Sequence, residues 1–136
     1  MGIIRTAIYN KFRADNKTPL YLDLDGTRFY YSEAPEQTLL PYCVFHIISE
    51  DYQFEFDLEF EEAYLQFDYF GATADECDDG LADIKTMYDY PTLPSLTITG
   101  YTFLRLERDY IINPIKVMPH NIWKGVARYT LLMQKT

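Results

Sequence analysis

From Tyr52 to Phe60 the chain alternates strictly. Tyr52, Phe54, Phe56, Leu58 and Phe60 share one parity, and mostly acids take the other. A period of two belongs to a strand with one face buried and one wetted, and no helix accommodates it. The phase slips at Glu61-Glu62, after which Ala63, Leu65, Phe67 and Tyr69 resume at odd positions. A run this long exceeds one ordinary strand. It predicts a long hairpin with its turn near Asp57–Glu59, or a bulge at the slip. Any fold of this chain must therefore be built around an antiparallel sheet.

The flanking segments supply the rest of that sheet and its cover. Residues 3–15 read as an amphipathic helix, with Ile4, Ile8 and Phe12 four residues apart and Ala7 beside them. Asn16-Lys17-Thr18-Pro19 ends it, because proline breaks the hydrogen-bond ladder. A turn at Asp25-Gly26 precedes a short strand at Arg28–Tyr31, and Pro35 and Pro41 bracket a loop. Residues 42–49 (YCVFHIIS) are nearly continuously apolar, which predicts a central strand covered on both faces. Thr73 and Glu76 form a capping box for a second helix over 73–88, whose stripe is Cys77, Leu81, Ile84 and Tyr88. Asp75, Asp78 and Asp79 suit the positive end of its dipole. Strands near 96–112 and 122–134 follow, separated by a loop with Asn113-Pro114 and Pro119. In the last strand Trp123, Ala127, Tyr129, Leu131 and Met133 share one parity, with Lys124, Arg128 and Gln134 opposite. The expected fold is one α+β domain over 1–136, a mainly antiparallel sheet of four to five strands with two helices.

Charge is segregated along the chain. Residues 1–49 carry five basic and five acidic side chains, residues 50–89 fourteen acids against Lys85 alone, and residues 90–136 six basic side chains against Glu107 and Asp109. The net charge of −9 excludes ordinary nucleic-acid binding, which sets Lys and Arg against phosphate. A basic partner fits, as does self-association of the acidic middle with the basic last third. The 13 Tyr, 9 Phe and 1 Trp suit cores and protein interfaces alike. Cys43 and Cys77 are too few for a disulfide scaffold and read as buried thiols. Arg5, Lys11 and Arg13 interrupt the amino-terminal apolar residues, and no apolar run approaches a membrane span. These features point to a soluble protein of a reducing compartment, with no membrane partner.

One motif invites an enzymatic reading. Leu20–Thr27 (LYLDLDGT) resembles the first motif of haloacid dehalogenase-type phosphatases, in which Asp23 would attack phosphorus, Asp25 would handle protons and Mg²⁺ would offset the phosphate charge. The chain is short for the parallel core that chemistry needs. The later segments alternate as antiparallel strands, and Lys85 follows Asp78-Asp79 where a lysine should precede the second acidic pair. The segment reads instead as a surface turn with Asp25-Gly26 at positive φ. His46 and His120 lack partners at zinc-ligand spacing, and parity puts Cys43 and His46 on opposite faces of their strand.

The chain as a whole resembles the tail terminator (tail completion, head–tail joining) proteins of long-tailed bacteriophages. The similarity runs from IRTAIYNKFRAD through GTRFYYSEAPEQTLLPYCVF, the stretch ending EEAYLQFDYFG, the helix ADECDDGLADIKTMYD and the final WKGVARYTLLMQ. The resemblance implies a non-enzymatic virion assembly protein with no catalytic residue, cofactor or metal. Such a protein forms a six-fold ring at the head-proximal end of the tail tube, stops tube polymerisation and joins the tail to the head. Its partners would be further copies of itself, the tail tube protein and a head connector or neck protein. The genome would pass through the ring without specific binding. Assembly would occur in the host cytoplasm. A ring needs two different complementary patches. Glu55, Asp57, Glu59, Glu61 and Glu62 are the expected lumen or partner-facing patch. Lys124 and Arg128 are expected to meet Asp75, Asp79 and Asp83 of a neighbouring copy. The competing class is an acidic protein that mimics DNA to inhibit a nucleic-acid enzyme, against which the basic last third speaks.

Overall fold

The computed structural model describes residues 2–14, 17–55, 58–89, 96–118 and 120–136. Its elements are α1 (Gly2–Ala14), α2 (Pro19–Asp23), β1 (Phe29–Tyr31), β2 (Tyr42–Glu55), β3 (Leu58–Gly71), α3 (Ala74–Tyr88), β4 (Tyr101–Val117) and β5 (Ile122–Lys135). The five strands make one sheet in the order β1-β2-β3-β5-β4. All pairs are antiparallel except β1 with β2. The α+β architecture is the expected one, with three helices where two were expected.

The alternating stretch is the β2–β3 hairpin. Glu55 pairs with Leu58 and Phe54 with Glu59, so Leu58 and Glu59 already belong to a strand and not to the expected turn near Asp57–Glu59. The bulge also sits elsewhere. It lies in β2 between Ile47 and Ser49, while β3 pairs with β5 without interruption from Phe60 to Gly71. The parity slip at Glu61-Glu62 is therefore no backbone irregularity. It marks where the apolar residues of β3 change from the helix side to the open side. Up to that point Ala63, Leu65, Phe67 and Tyr69 pair with Leu131, Tyr129, Ala127 and Gly125, and all of these are buried.

Both long helices lie over this one side. Phe12 of α1 stacks on Phe29 at 4.3 Å, Phe29 on Phe45 at 5.0 Å, and Tyr88 of α3 on Phe67 at 4.8 Å. Tyrosines fill the core because their hydroxyls find acceptors at its rim. Tyr88 donates to the Ile8 carbonyl at 2.9 Å, tying α3 to α1, and Tyr129 donates to Asp89 at 2.5 Å. The opposite side of the sheet carries no helix among the described residues. The expectation that residues 42–49 are covered on both faces is corrected accordingly. Cys43 and Phe45 are fully buried under the helices, whereas Ile48 is 45% exposed. Val44 is buried because residues 32–35 fold over the open side next to it.

Local chemistry sets the helix ends. Thr73 accepts from the Glu76 N–H at 3.1 Å, and Glu76 reaches back to the Ala72 N–H at 2.8 Å, so the predicted capping box forms one residue out of register. Gly80 lets α3 settle on β3, since a Cβ there would lie 2.1 Å from the Tyr69 ring. The added helix, α2, arises from Pro19 at its first turn and from Leu20 and Leu24, four apart and both fully buried. Asp25 (φ 56°) and Gly26 (φ 67°) then make the left-handed turn that was expected. β4 runs through Asn113-Pro114, which the sequence placed in a loop. It is an edge strand, where a missing N–H is tolerated, and the pairing shifts between Ile112 and Ile115.

Candidate functional site

The D-x-D-G-T segment does not build the site of a phosphatase. Asp23 closes a helix instead of a strand. Asp25 points to solvent beside Arg28, 3.9 Å away. Asp23 does line an open cavity of about 400 Å³ with Pro41, Tyr69, Glu76 and Asp79. Asp83 stands next to it. Burial pushes the Asp83 carboxyl up to about 8, aided by a hydrogen bond with Asp23 and by the charges of Asp23 and Asp79. Among the described residues no three His, Cys, Asp or Glu side chains are grouped to hold a metal ion. Both cysteines are free and buried. Burial raises the Cys43 thiol strongly and Cys77 to about 11, which makes both poor nucleophiles.

The expected acidic patch divides between the two faces. β3 directs Glu59 and Glu61 to the helix side, in register with Phe54 and Tyr52 of β2. Glu62, in register with Asp51, takes the open side. Glu59 pairs with Lys135 at 3.6 Å, and Glu62 accepts from the Tyr64 hydroxyl at 2.9 Å. Asp57 and the Glu55 side chain lie outside the described residues. Asp75 and Asp79 of α3 are exposed, together with Asp78. Asp83, further along that helix, is half-buried, and burial raises its carboxyl well above the usual carboxylate range.

Lys124 and Arg128 share a face, as parity requires, and it is the open one. Both already have partners within the chain. Lys124 Nζ lies 3.8 Å from Asp68 Oδ2, and Arg128 Nη1 donates to the Tyr110 hydroxyl at 3.0 Å. Arg105 and Arg108 face opposite ways. Arg105 pairs with Glu107 at 3.5 Å, and Arg108 with Asp89 at 3.0 Å.

Asp68 is the residue the sequence reading passed over. It is 5% exposed at the middle of the open face, where a carboxylate must be compensated. It accepts from Gln66 Nε2 at 2.9 Å and sits 3.1 Å from His46 Nε2. A 220 Å³ hollow beside it is bounded by Ser32–Pro35, Tyr42 and Phe70. The signal was present, since L-Q-F-D-Y-F places Gln66, Asp68 and Phe70 on one parity.

The five-stranded sheet with helices on one face defines an α+β fold whose other face is left to side-chain networks. That fold is shared. A chain of the virion of a native gene transfer agent (GTA) particle superimposes with a TM-score of 0.76, covering 98% of this chain and 96% of that chain at 14% sequence identity. At such identity the likeness is one of fold. No family model matches the chain, and no curated protein matches it.

Proposed function

We propose that this chain is a structural protein of a phage-type virion, specifically a tail terminator. It forms a ring at the head-proximal end of a tail tube, halts tube growth and offers a face to the head connector. The observation that carries this reading is the end-to-end likeness to a chain of a GTA virion particle, with almost nothing left over in either chain. The residue chemistry supports an assembly role over catalysis, because the D-x-D-G-T segment forms a helix end and a turn.

In the ring, exposed Asp75 and Asp79 of one copy form half of the contact and a basic patch of the next copy forms the other. The acids at the hairpin end keep the passing genome from adhering, by repulsion of its phosphates. Electron microscopy of tubes grown with and without the protein tests the assignment. Tubes of uniform length with added density at one end are expected. Tubes whose lengths and ends are unchanged by the protein overturn it.

A further inference from the structure

Six arginines are present, and four have polar partners within the chain. Arg28 donates to the carbonyls of Pro41 and Asp23, and Arg105, Arg108 and Arg128 are engaged as described above. Arg5 and Arg13 have no ion pair or hydrogen bond among the described residues, in a chain with 21 acids against 12 basic side chains. Both are exposed. Each is held against a tyrosine, Arg5 at 5.2 Å from the Tyr31 ring centre and Arg13 at 5.9 Å from that of Tyr9. A cation–π contact of this kind does not saturate the five N–H donors of a guanidinium, which can still take a carboxylate.

Arg5, Tyr9 and Arg13 are spaced i, i+4, i+8 and form one stripe on α1. Eight residues of helix separate the arginines by about 12 Å along the axis. The stripe borders a 370 Å³ cleft between α1 and the edge strand β1, lined by Arg5, Thr6, Tyr9, Asn10, Tyr30 and Tyr31. Tyrosine and arginine beside an open cleft is the composition of an interface centre.

The same chain carries a complementary ridge. Asp75, Asp78 and Asp79 are exposed on α3 and have no ion pair among the described residues. They span about 6 Å of helix, well within the reach of two arginines about 12 Å apart. The two stripes lie at different places on the domain. α1 packs at the β1 edge, while α3 packs across β3, β5 and β4. Two distinct complementary patches give the head-to-tail contact that closes rings.

We infer that the Arg5–Tyr9–Arg13 stripe of α1 docks the acidic Asp75–Asp79 ridge of α3 on a second copy of this chain. This rests on the ring reading above and replaces Lys124 and Arg128 as its basic half, since those two already have partners.

The test uses the full chain in two assays. First, amide NMR shifts are followed as the parent protein is concentrated at low salt. Resonances of residues 5–13 and 74–83 should move together, and the movement should weaken at high salt. Second, tube capping is scored by microscopy for three variants: Arg5→Glu/Arg13→Glu, the same with Asp75→Arg/Asp79→Arg, and Lys124→Gln/Arg128→Gln, which removes both charges but keeps a donor beside Asp68. The first should retain the parental circular dichroism and melting curve yet cap at least about tenfold less efficiently. The second should recover much of the capping, and the third should cap like the parent. Shifts confined to other residues, or no shifts at all, overturn the contact. So does capping that survives the first variant or is lost only in the third, and each of these leaves the ring reading standing. Parent protein that never caps tubes overturns the ring reading itself, and the shifts then decide the contact alone.

Discussion

At the scale of single residues, two carboxylates behave oppositely for reasons visible in their surroundings. Asp83 is held protonated by burial and by its acidic neighbours. Its pKa in the folded protein, about 8, exceeds the unfolded value of 3.8. The fold therefore binds more protons than the unfolded chain between those values, and the Asp83 contribution weakens as pH rises through that window. Asp83→Asn should raise the melting temperature more at pH 9 than at pH 5. Melting curves that shift equally at both pH values count against this assignment. Asp68, by contrast, is compensated by Gln66, His46 and Lys124. Asp68→Ala removes the common acceptor and should destabilise by roughly 1.5–3 kcal/mol, as loss of a bond to a charged group does. Urea unfolding measures it, and a change within about 0.5 kcal/mol, the range of an ordinary surface substitution, argues against the network.

At the scale of elements, the packing of α3 on β3 depends on the absence of a side chain at one position. Gly80→Ala should lower stability by roughly 1–3 kcal/mol through overpacking against Tyr69, although alanine is the better helix former. An unchanged denaturation midpoint is the opposing result. Most elements were legible because their periodicity was strong. The Ile4–Ile8–Phe12 stripe, the Thr73 cap and the odd parity of β5 each state a local preference that tertiary packing then uses. What stayed hidden was set by long-range pairing. Nothing in YCVFHIIS tells that its second face carries no helix and is roofed by a loop only beside Val44. Leu20 and Leu24 could equally mark a strand, until burial under α1 and α3 decides for a helical turn. The site was less legible than the fold. Parity correctly joined Lys124 to Arg128, but no local pattern says that Asp68 lies within reach of Lys124. Arg5 and Arg13 read as the solvent side of α1 because their tyrosine partners come partly from another element.

At the scale of the whole molecule, charge is separated from the fold's support. Of the acids at the hairpin end, Glu59, Glu61 and Glu62 are half-buried, so neutralising Glu55, Asp57, Glu59, Glu61 and Glu62 together should cost far less stability than a core substitution, since partly exposed pairs contribute about 0–1 kcal/mol each. Tail length control or head joining should fail instead. A normal yield of infectious particles from the five-fold variant removes the hairpin from the mechanism. The outermost strand carries a different consequence. β4 is 17 residues long, yet its pairing is broken between Phe103 and Arg105, between Arg108 and Tyr110, and between Ile112 and Ile115. A straight free border of that length would recruit stray chains into fibrils. Interrupted three times and carrying a proline, this one offers no continuous row of donors and acceptors. The sheet thus refuses to grow past its own last strand, which keeps separate copies from joining edge to edge.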